Sequence, residues 1–336
     1  MSKLTNCILN KDHSCIPVWF MRQAGRYLPE FRKIRSLNKN FIKLCLNSDL
    51  SSEITLQPLK RFNLDAAIIF SDILMVPFSL GQEVIFEKDK GPKLSVFSLK
   101  NFTHKNKQEF IKNLNPIYQA IRKTRTKLEK DKSLISFIGA PWTLAVYMFG
   151  LKIDKDKINI NKLIKHEAEI KIVLQEIVEY LCLHIEIQIN AGADVVQIFD
   201  SWAGLIPEEK LHDYCYEPNK KIVDFCKRKN IPTICFPRGI KDNYASFAKI
   251  VGPDCLSLDY DIDPMWAKNN LKNICLQGGM NPKILFQKDD KILEEVDKYL
   301  HIFKNQPYIF NLGHGLLPET DPNVLQKVIE RVNIFK

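Results

Sequence analysis

Several signatures are missing from this chain, and each absence removes a class of function. No C-x-x-C pair occurs among its nine cysteines, which leaves out the paired thiolate ligands of structural zinc sites and dithiol redox centres. There is no G-x-x-x-x-G-K-S/T, hence no phosphate-cradling loop, and no G-x-G-x-x-G follows any strand-like run, so a dinucleotide fold has no fingerprint. Like charges never gather in blocks of about five or six, which argues against a nucleic-acid arm. The opening MSKLTNCILN lacks the apolar core of a secretory signal. A cytoplasmic protein with reduced thiols is the expectation, with Cys182, Cys226, Cys235, Cys255 and Cys275 lying in apolar runs as small core residues. One charge-free stretch, Leu134 to Leu151, reaches membrane-spanning length, but Ser136, Gly139, Pro141 and Thr143 interrupt it. It reads as a buried strand, a break and a second buried element, so no membrane association is expected.

What is present is ample apolar material. Hydrophobic residues make up 45% of the 336, enough for a sizeable core. Lysine and arginine outnumber aspartate and glutamate by 49 to 39, a formal +10. That surplus fits an anionic partner, and equally a surface kept soluble by scattered lysines.

Short β-rich apolar runs recur eight times: Pro17–Met21, Asp65–Phe70, Leu134–Gly139, Asp194–Phe199, Ile231–Phe236, Cys255–Asp259, Asn273–Gln277 and Tyr308–Leu312. Most are apolar almost throughout rather than alternating, the pattern of strands buried on both faces. Helical spacing lies between them. Ile170–Asn190 carries Ile170, Val173, Leu174, Ile177, Val178, Leu181 and Ile185 on one stripe and ends at Gly192, suited to a left-handed cap. Asp321-Pro322 is an N-cap followed by proline at the first helical position. Glu208–Arg228 and Asp290–Phe303 are also expected to be helical. Alternating strands and helices imply a parallel sheet, and eight units imply an α/β protein built as a single (β/α)8 TIM barrel. No Pro/Gly/Ser-rich linker divides residues 1–336, so one domain is expected.

In such a barrel the chemistry sits at the carboxyl ends of the strands. The first run leads into Arg22-Gln23-Ala24-Gly25-Arg26, then Arg32 and Arg35; the second into Ser71-Asp72; the third into Ala140-Pro141-Trp142, with Tyr147 beyond. The fourth ends at Asp200-Ser201-Trp202, the fifth at Pro237-Arg238-Gly239 and the eighth at Gly313-His314-Gly315. Taken singly, Asp72 and Ser201 fit helix caps, Tyr147 a rim residue, and Arg32 and Arg35 paired surface charges. Taken together, several arginine forks at one mouth suit a substrate with several carboxylates.

At these residues the chain resembles the uroporphyrinogen decarboxylase family. PVWFMRQAGRYLPEFRKIR from Pro17, IFSDILMVP from Ile69, GAPWTLAVYM from Gly139, QIFDSWAG from Gln197 and NLGHGLLPETDP from Asn311 carry the resemblance, with FPRG from Phe236 and LQGGMNP from Leu276 adding weaker matches. They run in order along almost the whole chain. The resemblance implies a (β/α)8 barrel, a homodimer, no metal and no organic cofactor. It implies removal of the four acetate carboxyls of uroporphyrinogen III to give coproporphyrinogen III. Its substrate contacts fall on Arg22, Gln23, Ala24, Gly25, Arg26, Arg35, Asp72, Tyr147, Phe199, Ser201 and His314. Asp72 is expected to steady a cationic pyrrole, with Arg22 as a candidate proton relay. Two turns depart from the family pattern, Gln277-Gly278-Gly279-Met280-Asn281-Pro282 and Leu258-Asp259-Tyr260. The rival reading is a zinc-dependent corrinoid or thiol methyltransferase, which needs His and Cys ligands at the barrel mouth.

Overall fold

The computed structural model describes residues 1–87, 91–103, 106–154 and 157–335. In chain order its strands are β1 (Ala66–Ile68), β2 (Val84–Glu87), β3 (Gly91–Leu94), β4 (Ser133–Gly139), β5 (Val195–Asp200), β6 (Thr233–Pro237), β7 (Cys255–Leu258), β8 (Cys275–Gly278) and β9 (Tyr308–Ile309). The fold is mixed α/β. One curled parallel sheet of seven strands runs β1-β4-β5-β6-β7-β8-β9, and β2 and β3 form a separate antiparallel hairpin. The seven sheet strands fall where continuous apolar runs lay in the sequence, and each is buried at every residue or all but one. The hairpin was not expected from the pattern.

The first expected strand, Pro17–Met21, is not one: only Val18 makes a ladder bridge, to Phe310. Side chains take the amides that a neighbouring strand would otherwise take. Val18 N–H donates to Asp65 Oδ2, Phe20 N–H to Gln23 Oε1 and Met21 N–H to Asn311 Oδ1. The segment nevertheless touches both sheet edges. Asp65, just before β1, donates its N–H to Val18 O at 2.9 Å, and Phe310, just after β9, donates to Pro17 O at 2.8 Å.

Helices pack outside the curl. The helix Glu167–Asn190 buries the expected stripe and is followed by Gly192 at φ 113°. Asp321 caps the helix Pro322–Ile334 by accepting from Asn323 N–H, and Asp289–Phe303 is helical as anticipated. Glu208–Arg228 corrects the expectation of one helix. It divides into a 3-10 turn Glu208–Lys210, a π turn His212–Tyr216 and an α-helix Glu217–Arg228. Pro218 accounts for the π turn: it has no N–H for the Tyr214 carbonyl, and Glu217 N–H reaches back five residues to His212 O.

The interior of the curl has three levels. At the amino ends of the strands the helix Lys3–Leu9 acts as a stopper, its Leu4, Cys7 and Ile8 packed with Ile135, Val195, Cys255, Cys275 and Ile309. Above it lies a fully buried polar layer. Trp19 Nε1 donates to Gln277 Oε1, and Gln277 Nε2 donates to Ser257 Oγ and Gln197 Oε1. Each of these groups finds a partner, which is what makes a polar layer tolerable in a core. The third level, at the carboxyl ends, is open.

Candidate active site

That open end is a cleft of about 1280 Å³, floored by Ile68, Phe137, Phe199 and Phe236 and walled by Phe31, Phe41, Phe70 and Phe86. Phe137 and Phe199 meet edge to face, ring centroids 5.7 Å apart. Hairpin residues Phe86, Gly91 and Pro92 add to its rim. The charged lining is one-sided: Arg22, Arg26, Arg35, Lys39 and Arg238 against the single carboxylate of Asp72 among the described residues.

The loop after residue 21 is built to present its arginines. Arg22 has φ 63°, a left-handed conformation costly for any residue with a Cβ. A Cβ on Gly25 would lie 2.6 Å from Arg22 O, so the turn closes only on glycine. Arg32 Nη1 donates to Arg26 O and Tyr27 O and braces the loop from behind. Gly315 makes room for the Arg22 side chain, because a Cβ there would come within 2.5 Å of Arg22 Cδ. Arg22 reaches solvent through the cleft, yet protein surrounds it. Burial and the neighbouring Arg26 push its pKa below the ordinary arginine value, while Asp72 acts the other way.

Asp72 follows β1, whose end is held by the helix Ser48–Arg61: Phe70 N–H donates to Thr55 Oγ1 and Phe70 O accepts from Ser51 Oγ. Asp72 Oδ1 accepts from Leu74 N–H at 2.9 Å. This closes a turn ahead of the helix Met75–Ser79, whose N-cap is Leu74, so Asp72 lines the cleft and is not the helix cap. Burial raises its carboxyl to about 6, against the Leu74 hydrogen bond and the Arg22 charge, which pull it down. At neutral pH it is mostly ionised, with one oxygen left for a ligand.

Tyr147 comes from the helix Pro141–Met148 and stands edge-on to Trp202, centroids 5.9 Å apart. Burial raises its phenol. Ser201 extends from the end of β5 into the cleft. His314 accepts from Gly315 N–H at Nδ1, 2.7 Å away, which leaves Nε2–H as the donor of the neutral ring. Burial first, then Arg22 and Arg238, lowers it to about 4, so it is neutral through the physiological range.

Ten of the eleven residues singled out from sequence line this one cleft: Arg22, Ala24, Gly25, Arg26, Arg35, Asp72, Tyr147, Phe199, Ser201 and His314. Gln23 stands apart. It is fully buried, its amide spent on Phe20 N–H and Ala66 O, so it shapes the loop and does not face the cleft. Arg35 donates to Asn38 O and lies over the Phe41 ring at 5.7 Å. Sequence reasoning missed Lys39, Phe41 and the hairpin residues, which no strand-end rule would collect. Arg238 stood at a strand end but was not counted among the contacts. Among the described residues no cysteine lines the cleft and His314 is its one imidazole, so the donor set of a zinc methyltransferase is not assembled there. His212, Asp213 and Glu217 do cluster, but on the exposed surface.

A curled parallel sheet with a cationic, aromatic-floored cleft at its carboxyl ends defines an α/β enzyme for a polyanionic small molecule. The family model described as "Uroporphyrinogen decarboxylase (URO-D)" matches residues 1–335, and the chain belongs to that family. A protein named uroporphyrinogen decarboxylase from Jannaschia sp. (strain CCS1) is 37% identical over 336 residues, 98% of each chain. One of the same name from Paracoccus denitrificans (strain Pd 1222) is 38% identical over 94% of each. Among solved structures, a methyltransferase from Methanosarcina mazei superposes with a TM-score of 0.79 at 16% identity, covering 98% of this chain and 97% of that one. A B12-independent methionine synthase from Shewanella sp. W3-18-1 gives 0.56 at 10% identity, covering 85% and 87%. At such identities these two share a fold and nothing more is inferred from them.

Proposed function

We propose that this chain removes the acetate carboxyls of uroporphyrinogen III, giving coproporphyrinogen III, in the cleft at the carboxyl ends of its sheet. The family and the named relatives support decarboxylation in porphyrin and haem biosynthesis. The observation that carries the assignment to this cleft is its lone carboxylate, Asp72, set among five cationic side chains. The volume, about 1280 Å³, exceeds the roughly 300–1,000 Å³ of drug-sized pockets and suits a macrocycle.

Loss of CO2 leaves an electron pair on the carbon that carried it. In this proposal the pyrrole receives it and no metal or organic cofactor takes part. Protonation of the ring carbon makes the pyrrole cationic. The C–CO2 bond then breaks and its electrons neutralise the ring; a proton added to the resulting methylene gives methyl, and the proton first placed on the ring carbon leaves to restore the pyrrole. Each cycle consumes one proton and releases one CO2. Asp72 accepts from the pyrrole N–H groups and stabilises the cation, the sign and the partly dry setting both being right. Arg22, Arg26 and Arg35 hold carboxylates; Tyr147, Ser201, Phe199 and His314 orient the ring. Arg22 is the proposed proton relay, and the lowering of its pKa by burial and Arg26 is the direction a donor needs.

The same reading takes residues 1–336 as one domain and the curl as a closed (β/α)8 barrel, with residues 17–21 in the first strand position. The hydrogen bonds of Val18 and Pro17 to both sheet edges support this. It also carries over the homodimer and a cytoplasmic location, for which nine free thiols speak. No described helix is long and apolar enough to cross a membrane. The test is anaerobic incubation of purified, chelator-treated protein with uroporphyrinogen III alone, followed by chromatography. The tetracarboxylate product is expected; recovery of intact octacarboxylate would refute the proposal.

A further inference from the structure

We propose that Arg238 is a further substrate-binding residue, holding a carboxylate on the side of the cleft opposite Arg22. The proposal rests on the reading of the cleft given above and adds to it a group outside the substrate contacts that the resemblance implies. Position comes from topology. Arg22 follows the segment that lies between the β9 and β1 edges, whereas Arg238 follows β6, the middle strand of the seven. The two therefore face the same cleft from opposite sides, and both lower the pKa of His314 between them.

The main chain around Arg238 is held unusually well for a loop. Arg238 N–H donates to Asp200 O at 3.1 Å and its carbonyl accepts from Gly204 N–H at 2.9 Å. Gly239 N–H donates to Asp259 Oδ2 at 2.7 Å, and the same carboxylate oxygen accepts from Tyr244 Oη at 3.1 Å. Gly204 and Gly239 are in such close contact that a Cβ on Gly204 would lie 2.5 Å from Gly239 O.

The side chain is treated differently. Arg61, Arg125 and Arg331 each meet a carboxylate, and Arg32 and Arg35 each meet main-chain carbonyls. The half-buried Arg238 guanidinium lines the cleft, and none of the hydrogen bonds or ion pairs of the described residues involves it. A rigid base, a planar fork and no protein acceptor describe a preorganised anion site, whose partner is to come from the ligand. A substrate with carboxylates all round its ring needs anchors on more than one wall. Arg238 supplies one that the Arg22–Arg26 loop cannot.

Arg238→Gln and Arg238→Lys test this, since both keep the main-chain bonds that fix the loop. Under anaerobic conditions Arg238→Gln is expected to raise KM for uroporphyrinogen by about tenfold or more, as loss of a charge-assisted fork does. Arg238→Lys should recover part of that, keeping charge without the fork. Inhibition by coproporphyrinogen, which retains only the propionates, distinguishes the group held. An inhibition constant that rises in parallel with KM assigns a propionate; one that stays put assigns an acetate. Wild-type KM in both variants, with melting temperatures unchanged, overturns the proposal while leaving the function intact. A wild-type protein that yields no tetracarboxylate product refutes the function itself.

Discussion

Asp72→Asn keeps the shape of the side chain and an oxygen for Leu74 N–H, and removes one negative charge from the cleft. If the carboxylate steadies a ring cation, kcat should fall by about 10²–10³-fold, or roughly 2.7–4 kcal/mol. Stability should move the other way. Burial raises this carboxyl from 3.8 to about 6, so the folded chain binds the proton more tightly than the unfolded one. Below the ordinary value both states are protonated and the group is neutral in its effect. As pH climbs through that value and past about 6, the folded state becomes the costlier place to ionise. A gap of about two pH units sets an upper limit of about 3 kcal/mol on this cost above pH 7. Asparagine removes it. At pH 8 the variant should melt at or above the wild-type temperature while nearly inactive, and near pH 3 the two should melt together. The wild-type kcat/KM should rise as pH increases through about 6, and the variant should lack that limb. Anaerobic turnover and thermal melts across this range read both effects. Wild-type turnover in the variant, or a rate lost only together with a lower melting temperature at pH 8, refutes the reasoning.

Gly315→Ala places a methyl 2.5 Å from Arg22 Cδ and 2.7 Å from Cγ, with no backbone strain of its own. It should displace the Arg22 side chain and lower kcat/KM at least tenfold, roughly the worth of one charge-assisted contact, with little change in melting; unaltered kinetics would remove Arg22 from the mechanism. Gly204→Ala meets only main-chain atoms of Gly239, which cannot rotate away. It should destabilise the fold by about 1–3 kcal/mol, as overpacking does, and calorimetry showing an unchanged transition would contradict the close contact.

Much of the architecture could be read from the chain because it rests on local chemistry. Strands buried on both faces must be apolar throughout, so β1 and β4 to β9 announced themselves, as did the helix Glu167–Asn190 through its stripe. Failures came where side chains or proline replaced the regular main-chain pattern. Asp65, Gln23 and Asn311 took the amides of residues 18, 20 and 21, and Pro218 set a π turn ahead of the α-helix Glu217–Arg228 where one helix was expected.

The site shows the same division. The sequence alone determined which residue types stand at the strand ends, since that follows from apolar periodicity and turn residues along the chain. Only the tertiary structure decided that Gln23 turns inward while its neighbours face the cleft, that Lys39 and the β2–β3 hairpin join the rim, and that Arg238 stands across from Arg22. It also decided protonation, because the shifts of Asp72 to about 6 and His314 to about 4 come from burial and from charges far away in sequence. Periodicity is a property of neighbours along the chain; desolvation and convergence belong to neighbours in space.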